Sequence, residues 1–298
     1  MKNNLVKQVF WEITDNCIAN CVHCSFTKNR ESQVDDEQRK ELFQRIIQSG
    51  IKDITITGGE PTSVELQSIL ETQNLNELYL RVCTNGFGLD EKLLDFFNSN
   101  NIGYNFSFHS LDPKIQEGIY RTKTPWVRPR IDTLLKNGKK ELFALNSILL
   151  TSNYNEIESI ANYLNKNPEN IRKWRILNPI KTGEMRKNKH LYVSPDNVKR
   201  LRDRLEDMDL DFPVLLNAND RETKKCRIAD REEVYVTQYG ALRPCLGLTC
   251  LETEGTFFNK SLSELMQDKV MAYWIKNPLR CLVGKIISPN QLYLESSK

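Results

Sequence analysis

Along the first two-thirds of the chain, short apolar runs rich in β-branched and aromatic residues alternate with longer segments whose apolar residues recur at helical spacing. The runs predict strands at Gln8 to Thr14, Asp53 to Thr57, Glu77 to Cys83, Ile102 to Phe108, Glu141 to Leu150 and Ile171 to Asn178, each bounded by Gly, Asn or Pro. Between them, Asp35 to Ser49 places Leu42, Phe43, Ile46 and Ile47 on one face, starts with acidic residues and stops before Gly50. Leu89 to Phe97 and Asn155 to Leu164 read the same way, and Pro195 to Met208 turns Val198, Leu201, Leu205 and Met208 inward. Six strands, each followed by a helix, predict an α/β fold with a parallel sheet and right-handed crossovers. The pattern leaves open whether that sheet is flat or curled. After about residue 210 the rhythm changes: Glu233 to Thr237 and Ala241 to Pro244 flank a Gln-Tyr-Gly turn and predict a hairpin, followed by a helix at Ser261 to Trp274. The division expected is residues 1–210 as a core and 211–298 as a small α+β module.

Composition narrows the function classes. The chain has 298 residues, 39% of them apolar, enough for a sizeable core. Forty-two basic and 39 acidic side chains leave a net charge of +3, too even for the basic footprint of nucleic-acid binding. No apolar run approaches the roughly 18 residues of a membrane span, and Met1 to Lys7 lacks a signal-peptide core, so a cytoplasmic protein is expected. Eight cysteines in such a chain point to metal or redox chemistry rather than disulfides.

Three of them, Cys17, Cys21 and Cys24, follow the first strand in the run DNCIANCVHC. Three thiolates on one short loop can hold three corners of a 4Fe–4S cluster, leaving one iron open to a bidentate ligand. A zinc site using His23 is the alternative, although His23 sits beside Cys24 and zinc sites more often use two separated pairs. The run WEITDNCIANCVHC, with TGGEP at the end of the second strand, resembles the radical S-adenosylmethionine (SAM) enzymes. That resemblance covers about residues 8 to 180 and implies a partial (β/α)6 TIM-like barrel. It implies a 4Fe–4S cluster on Cys17, Cys21 and Cys24 with SAM on the open iron. His23 then lies near the SAM adenine, and Gly58, Gly59 and Glu60 face the SAM ammonium group, the glycines permitting close backbone approach. Softer matches are Thr84 and Asn85 in CTNG, Ser107 and Ser110 in FSFHSLDP, Arg121 in IYRTK, Asn146 and Ser147 in LNSILL for the ribose, and Arg175 and Leu177 in WRILNP near the adenine or the methionine carboxylate.

Cys226, Cys245, Cys250 and Cys281 lie in the C-terminal module, and Cys83 reads as a small buried residue. The spacing C-x13-G-x4-C from Cys226 through Gly240 to Cys245 resembles the opening of SPASM and twitch domains, which implies an auxiliary 4Fe–4S cluster. Position 284 is glycine where those domains continue C-x2-C. Cys250 is therefore the fourth ligand, or the auxiliary cluster has an open iron, or Cys250 is a thiol that donates a hydrogen atom to substrate. Structural zinc on the four cysteines is the alternative for this module.

The resemblance implies reductive cleavage of SAM to a 5′-deoxyadenosyl radical, hydrogen abstraction from substrate, and a flavodoxin- or ferredoxin-type reductant. The leading substrate class is a ribosomally made peptide, modified by cross-linking, epimerisation or oxidation. With the first strand beginning at Gln8, the expectation is that a separate protein recognises the peptide, that the core binds it itself, or that the substrate is small. A twitch-type dehydrogenase of a small sugar-like alcohol is the alternative enzyme, and a zinc-binding interaction module the non-enzyme alternative. Molybdenum-cofactor cyclases fit less well, by C-terminal cysteine spacing and Gly-Gly tail. The basic segments Arg121 to Arg130 and Lys181 to Lys189 read as solvated loops ahead of a seat for an acidic peptide.

Overall fold

The structure, a computed structural model, describes residues 6–25, 34–217, 232–245 and 251–276. Its elements in chain order are β1 (Gln8–Thr14), α1 (Asp36–Gln48), β2 (Asp53–Gly58), α2 (Leu66–Leu70), β3 (Tyr79–Thr84), α3 (Glu91–Ser99), β4 (Gly103–Ser107), α4 (Pro113–Tyr120), α5 (Val127–Asn137), β5 (Phe143–Ile148), α6 (Ile157–Leu164), β6 (Lys173–Leu177), α7 (Pro195–Glu206), β7 (Val214–Asn217), β8 (Glu233–Val236), β9 (Leu242–Arg243), α8 (Leu262–Leu265) and α9 (Lys269–Lys276). The fold is α/β with mostly parallel pairing, as expected. The described residues fall into two compact units, one from 6–17, 25, 34–80, 232–245 and 251–276, the other from 18–24 and 81–217.

In the first unit β1 pairs in parallel with β2, from Gln8 opposite Asp53 to Glu12 opposite Thr57, and with β8, from Gln8 opposite Glu233 to Trp11 opposite Val236. A register shift between Glu12 and Thr14 brings Thr14 opposite Gly58. Strand alternation sends Val9, Trp11 and Ile13 to one face, all fully buried. There α1 covers them: Trp11 stacks on Phe43 at 5.7 Å, and Arg39 Nε donates to the Ile13 carbonyl at 3.1 Å. α1 starts where Asp35 and Gln38 close a capping box that satisfies two otherwise orphaned N–H groups. The opposite face of β1 carries Gln8, Phe10, Glu12 and Thr14. β8 and β9 form the predicted antiparallel hairpin, turned by Gly240 at φ +81°.

In the second unit β3 to β7 pair in parallel order. Cys83 lies opposite Asn105, Asn105 opposite Ala144 and Ala144 opposite Lys173. One rung further, Ser107 lies opposite Asn146, Asn146 opposite Arg175 and Arg175 opposite Leu215. Tyr104, Phe106, Phe143, Leu145, Trp174 and Ile176 form the apolar face and are fully buried. Phe97 of α3, Tyr104 and Phe143 stack in series at 6.0 and 5.6 Å, an arrangement whose area burial dominates the local stability. The other face carries Asn105, Asn146, Lys173 and Arg175, which is how a polar surface comes to line a strand layer. No helix among the described residues is long and apolar enough to cross a membrane.

Candidate functional site

In the first unit the Gly-Gly-Glu turn is packed onto the start of the cysteine loop. Gly59 N–H donates to the Thr14 carbonyl at 2.6 Å and Glu60 N–H to the Asn16 carbonyl at 2.8 Å. Gly58 has φ +122°, and a Cβ there would stand 2.3 Å from the Thr14 oxygen. A Cβ on Gly59 would stand 2.1 Å from the Asn16 oxygen. The glycines thus let the turn approach the backbone just before Cys17, chain against chain and not only chain against ligand. Glu60 is buried, and its carboxylate accepts from Thr62 N–H at 3.1 Å and from Thr62 Oγ1 at 2.8 Å, capping the short 3-10 turn that follows.

In the second unit the rest of the loop, residues 18–24, docks on the end of α4. Asn20 and Val22 donate their N–H groups to the carbonyls of Tyr120 and Ile119 at 2.8 and 2.9 Å. The last carbonyls of a helix have no partner within it, so α4 offers acceptors where the loop needs them. The helix stops there because Arg121 takes φ +50°. Arg121 then donates to Glu184 at 2.7 Å and to Asn188 at 3.2 Å. Those residues close the clasp: Glu184 N–H donates to the Cys24 carbonyl and Asn188 Nδ2 to the Val22 carbonyl, both at 3.0 Å. Cys17, Cys21 and Cys24 are each half-buried. Among the described residues no three His, Cys, Asp or Glu side chains are gathered closely enough to hold a single metal ion. As a donor set, Cys17 in the first unit and Cys21 and Cys24 in the second, each half-buried, fit an iron–sulfur cluster by their chemistry, since its ligands are thiolates on short sequence spacings.

His109, between the two serines singled out in FSFHSLDP, went unremarked in the sequence. It is fully buried, and its ring meets His23 edge-on at 5.1 Å and Tyr120 at 5.2 Å. Burial, helped by the nearby His23, holds it well below the usual histidine range, so the ring is neutral. Its Nδ1 accepts from Ile148 N–H at 3.2 Å, which puts the proton on Nε2.

The softer expectations separate by strand face. Asn146 and Arg175 meet: Arg175 Nε donates to Asn146 Oδ1 and Nη2 to Asn105 Oδ1, both at 2.8 Å. Leu177 lies on the same face, opposite Ile148. Ser147 is buried on the other face, accepting from Trp174 Nε1 at 2.8 Å and donating to the Phe108 carbonyl. Ser110 bonds Glu156 and the Asp112 backbone, and the Ser107 carbonyl accepts from Tyr120 Oη at 3.0 Å. Thr84 Oγ1 and Asn85 Oδ1 accept from Gly86 and Phe87 N–H at 2.8 and 2.9 Å, shaping the turn after β3. Cys245 is half-buried just past β9, whereas Cys226, Cys250 and Cys281 lie outside the described residues.

Glu12, on the polar face of β1, is a strongly perturbed carboxylate. One oxygen takes Arg243 at 2.7 Å, and the other is buried without a hydrogen-bond partner among the described residues. Burial outweighs Arg243 and pushes the group up to about 7 from 4.5. Between those values the native state holds a proton the unfolded chain has lost. The stability contributed below pH 4.5 therefore drains away as pH rises to about 7, by roughly 3 kcal/mol. His109, held below its ordinary range, works in the opposite sense over part of the same window, so the test is the difference between chains: in urea unfolding from pH 4.5 to 7.5, wild type should lose stability relative to Glu12→Gln as pH rises.

Residues 11–164, more than half of the chain, match the radical SAM superfamily, and the chain belongs to that superfamily. It is a radical SAM enzyme, a class that works with a 4Fe–4S cluster and SAM. Among curated proteins it is similar to the GTP 3′,8-cyclase of Haemophilus influenzae (strain PittGG), 29% identical over 183 residues covering 58% of this chain. The match covers 53% of that relative, so the chain spans about half the length of the curated relatives it matches. Among solved structures it is similar to Streptococcus suis SuiB bound to S-adenosylmethionine, with a TM-score of 0.72 at 15% identity over 91% of this chain and 68% of that one. SuiB bound to precursor peptide SuiA gives 0.68 at 15% identity over 98% and 69%. Native anSMEcpe with bound AdoMet gives 0.66 at 17% identity over 92% and 83%. At those identities the likeness is one of fold.

Proposed function

We propose that this radical SAM enzyme abstracts a hydrogen atom from a ribosomally synthesised peptide and so matures it by cross-linking, epimerisation or oxidation. The observation that carries this reading is the likeness of fold to SuiB in complex with its precursor peptide. When bound, the 4Fe–4S cluster and SAM supply a carbon radical strong enough to break an unactivated C–H bond.

This chain's own part is to place the components. Cys17, Cys21 and Cys24 hold the cluster on a loop fixed by Ile119, Tyr120, Glu184 and Asn188. The Gly58–Glu60 turn orients the SAM amino group and His23 the adenine, with Thr84, Asn85, Ser107, Ser110, Asn146, Ser147, Arg175 and Leu177 lining or supporting the cofactor. Arg121 acts through Glu184 and Asn188 as a positioning residue. Residues 211–298 form the auxiliary-cluster module, with Cys226, Cys245, Cys250 and Cys281 as ligands or, for Cys250, as the hydrogen donor. A flavodoxin- or ferredoxin-type protein reduces the cluster, and a separate protein presents the peptide.

The cyclase likeness favours a second reading, in which the substrate is a nucleotide. Deuterium tracing decides. The anaerobically reconstituted protein should move deuterium from a Cα-labelled precursor peptide into 5′-deoxyadenosine. Transfer from labelled GTP and none from peptide would establish the second reading instead.

A further inference from the structure

Two sets of basic side chains in the second unit differ in what surrounds them. Arg121, Lys123, Arg128 and Lys187, in the segments that read as basic loops, each pair with a carboxylate: Glu184, Glu117, Asp132 and again Glu184, at 2.7 to 3.3 Å. Their charge is locally spent. Arg172, Lys173 and Arg175, at the start of β6, are different. None of the three has an ion pair with a described residue. Arg175 is held by two asparagine oxygens, which are neutral. Arg172 Nε is buried with no hydrogen-bond partner among the described residues.

These cations also burden one another. Burial lowers the proton affinity of all three side chains; at Arg175 the Cys83 side chain opposes this, and Arg81 of β3 adds its positive charge at each. Arg172 and Lys173 further feel the field of Arg175, and Lys173 that of Arg172. Like charges crowded on a half-buried surface are destabilising unless an anion answers them. The asparagines do more than fill space. Asn105 and Asn146 occupy Nε and Nη2 of Arg175 and fix the guanidinium plane, so its remaining donors are preset. All three side chains keep partial access to solvent.

We propose that Lys173 and Arg175, on the polar face of β4 to β6, form with Arg172 just before the strand a binding site for an oxyanion of the substrate, a carboxylate or phosphate group that anchors it there. This deepens the proposed function by naming the substrate as acidic, and it rests on that function; it takes Arg175, named above beside the cofactor, as turning its remaining donors to the substrate. A planar guanidinium with an ammonium beside it matches oxyanions that accept several charge-assisted hydrogen bonds at once. Acidic side chains of a peptide and the phosphates of a nucleotide share that chemistry.

Two probes, inorganic pyrophosphate and triglutamate, are titrated calorimetrically into the full chain in phosphate-free buffer. At least one should bind, more weakly at high salt. Lys173→Gln should weaken it roughly tenfold, Arg172→Gln/Lys173→Gln further, and Lys173→Arg should retain it. Both substituted positions are part-exposed, and a thermal melt confirms that the variants fold. The tighter probe identifies whether phosphate or carboxylate is the natural group. Absence of binding to both probes, or equal binding by wild type and Lys173→Gln, overturns the site. So does loss of SAM affinity in step with loss of probe affinity, since the cations would then hold the methionine carboxylate. None of these readouts depends on peptide turnover, so a peptide that fails to react would overturn the proposed function and leave the oxyanion site standing.

Discussion

Gly59→Ala is expected to lower SAM affinity by about two orders of magnitude in a chain that still folds, roughly the 3 kcal/mol that a displaced binding loop costs. The new Cβ would lie 2.1 Å from the Asn16 carbonyl oxygen and 2.6 Å from its carbon, and both are backbone atoms that no rotamer change can move. The clash is relieved only if the Gly-Gly-Glu turn parts from the start of the cysteine loop. That breaks the bonds from Gly59 to Thr14 and from Glu60 to Asn16, and shifts Cys17 with them. Equilibrium dialysis with labelled SAM on the reconstituted protein measures the loss. Gly118→Ala is the control, because no atom lies within 4 Å of its built Cβ. Equal SAM affinity in Gly59→Ala and wild type would remove the turn from the cofactor site.

The largest effect belongs to the cysteines. Cys17→Ala, Cys21→Ala and Cys24→Ala together should abolish 5′-deoxyadenosine formation. Iron content should fall from about eight to about four per chain if the C-terminal cysteines hold a second 4Fe–4S cluster. A fall from about four to none would limit the protein to one cluster. Undiminished 5′-deoxyadenosine production would mean that the triplet does not hold the reactive cluster.

The parallel strands were legible because they are apolar, β-branched and cleanly punctuated; β1 to β6 lie within about two residues of their predicted ends. The helices between β4 and β5 were not. α4 carries Gly118 in its interior, and α5 carries Pro129 in its first turn, so the stretch reads as a basic loop. Pro129 is tolerated because a first-turn N–H has no helical partner to lose. The helix expected over Ser261 to Trp274 is two, α8 and α9, because Asp268 competes as a second cap: its side chain accepts from Val270 N–H at 3.0 Å. β7, four residues long, gave too little pattern to see. In the site, the cysteine loop and Gly-Gly-Glu were readable as local strings. Glu184 and Asn188 were not, since their importance comes from meeting Cys24 and Val22 across more than 150 residues of chain. His109 was hidden by its neighbours, two serines that looked more like ligands.

The clasp on the cysteine loop uses main-chain groups of Asn20, Val22 and Cys24, the carbonyls of α4 and the amide of Asn188. None of those bonds spends a thiol. In a zinc finger the metal is the reason the chain folds, and a chelator unfolds it. Here the ordering entropy of residues 18–24 is already met by protein contacts. Exposure to oxygen should therefore strip inorganic content and leave the scaffold upright, so that damage is reversible: iron, sulfide and a reductant can rebuild the centre in place without passing through an unfolded chain.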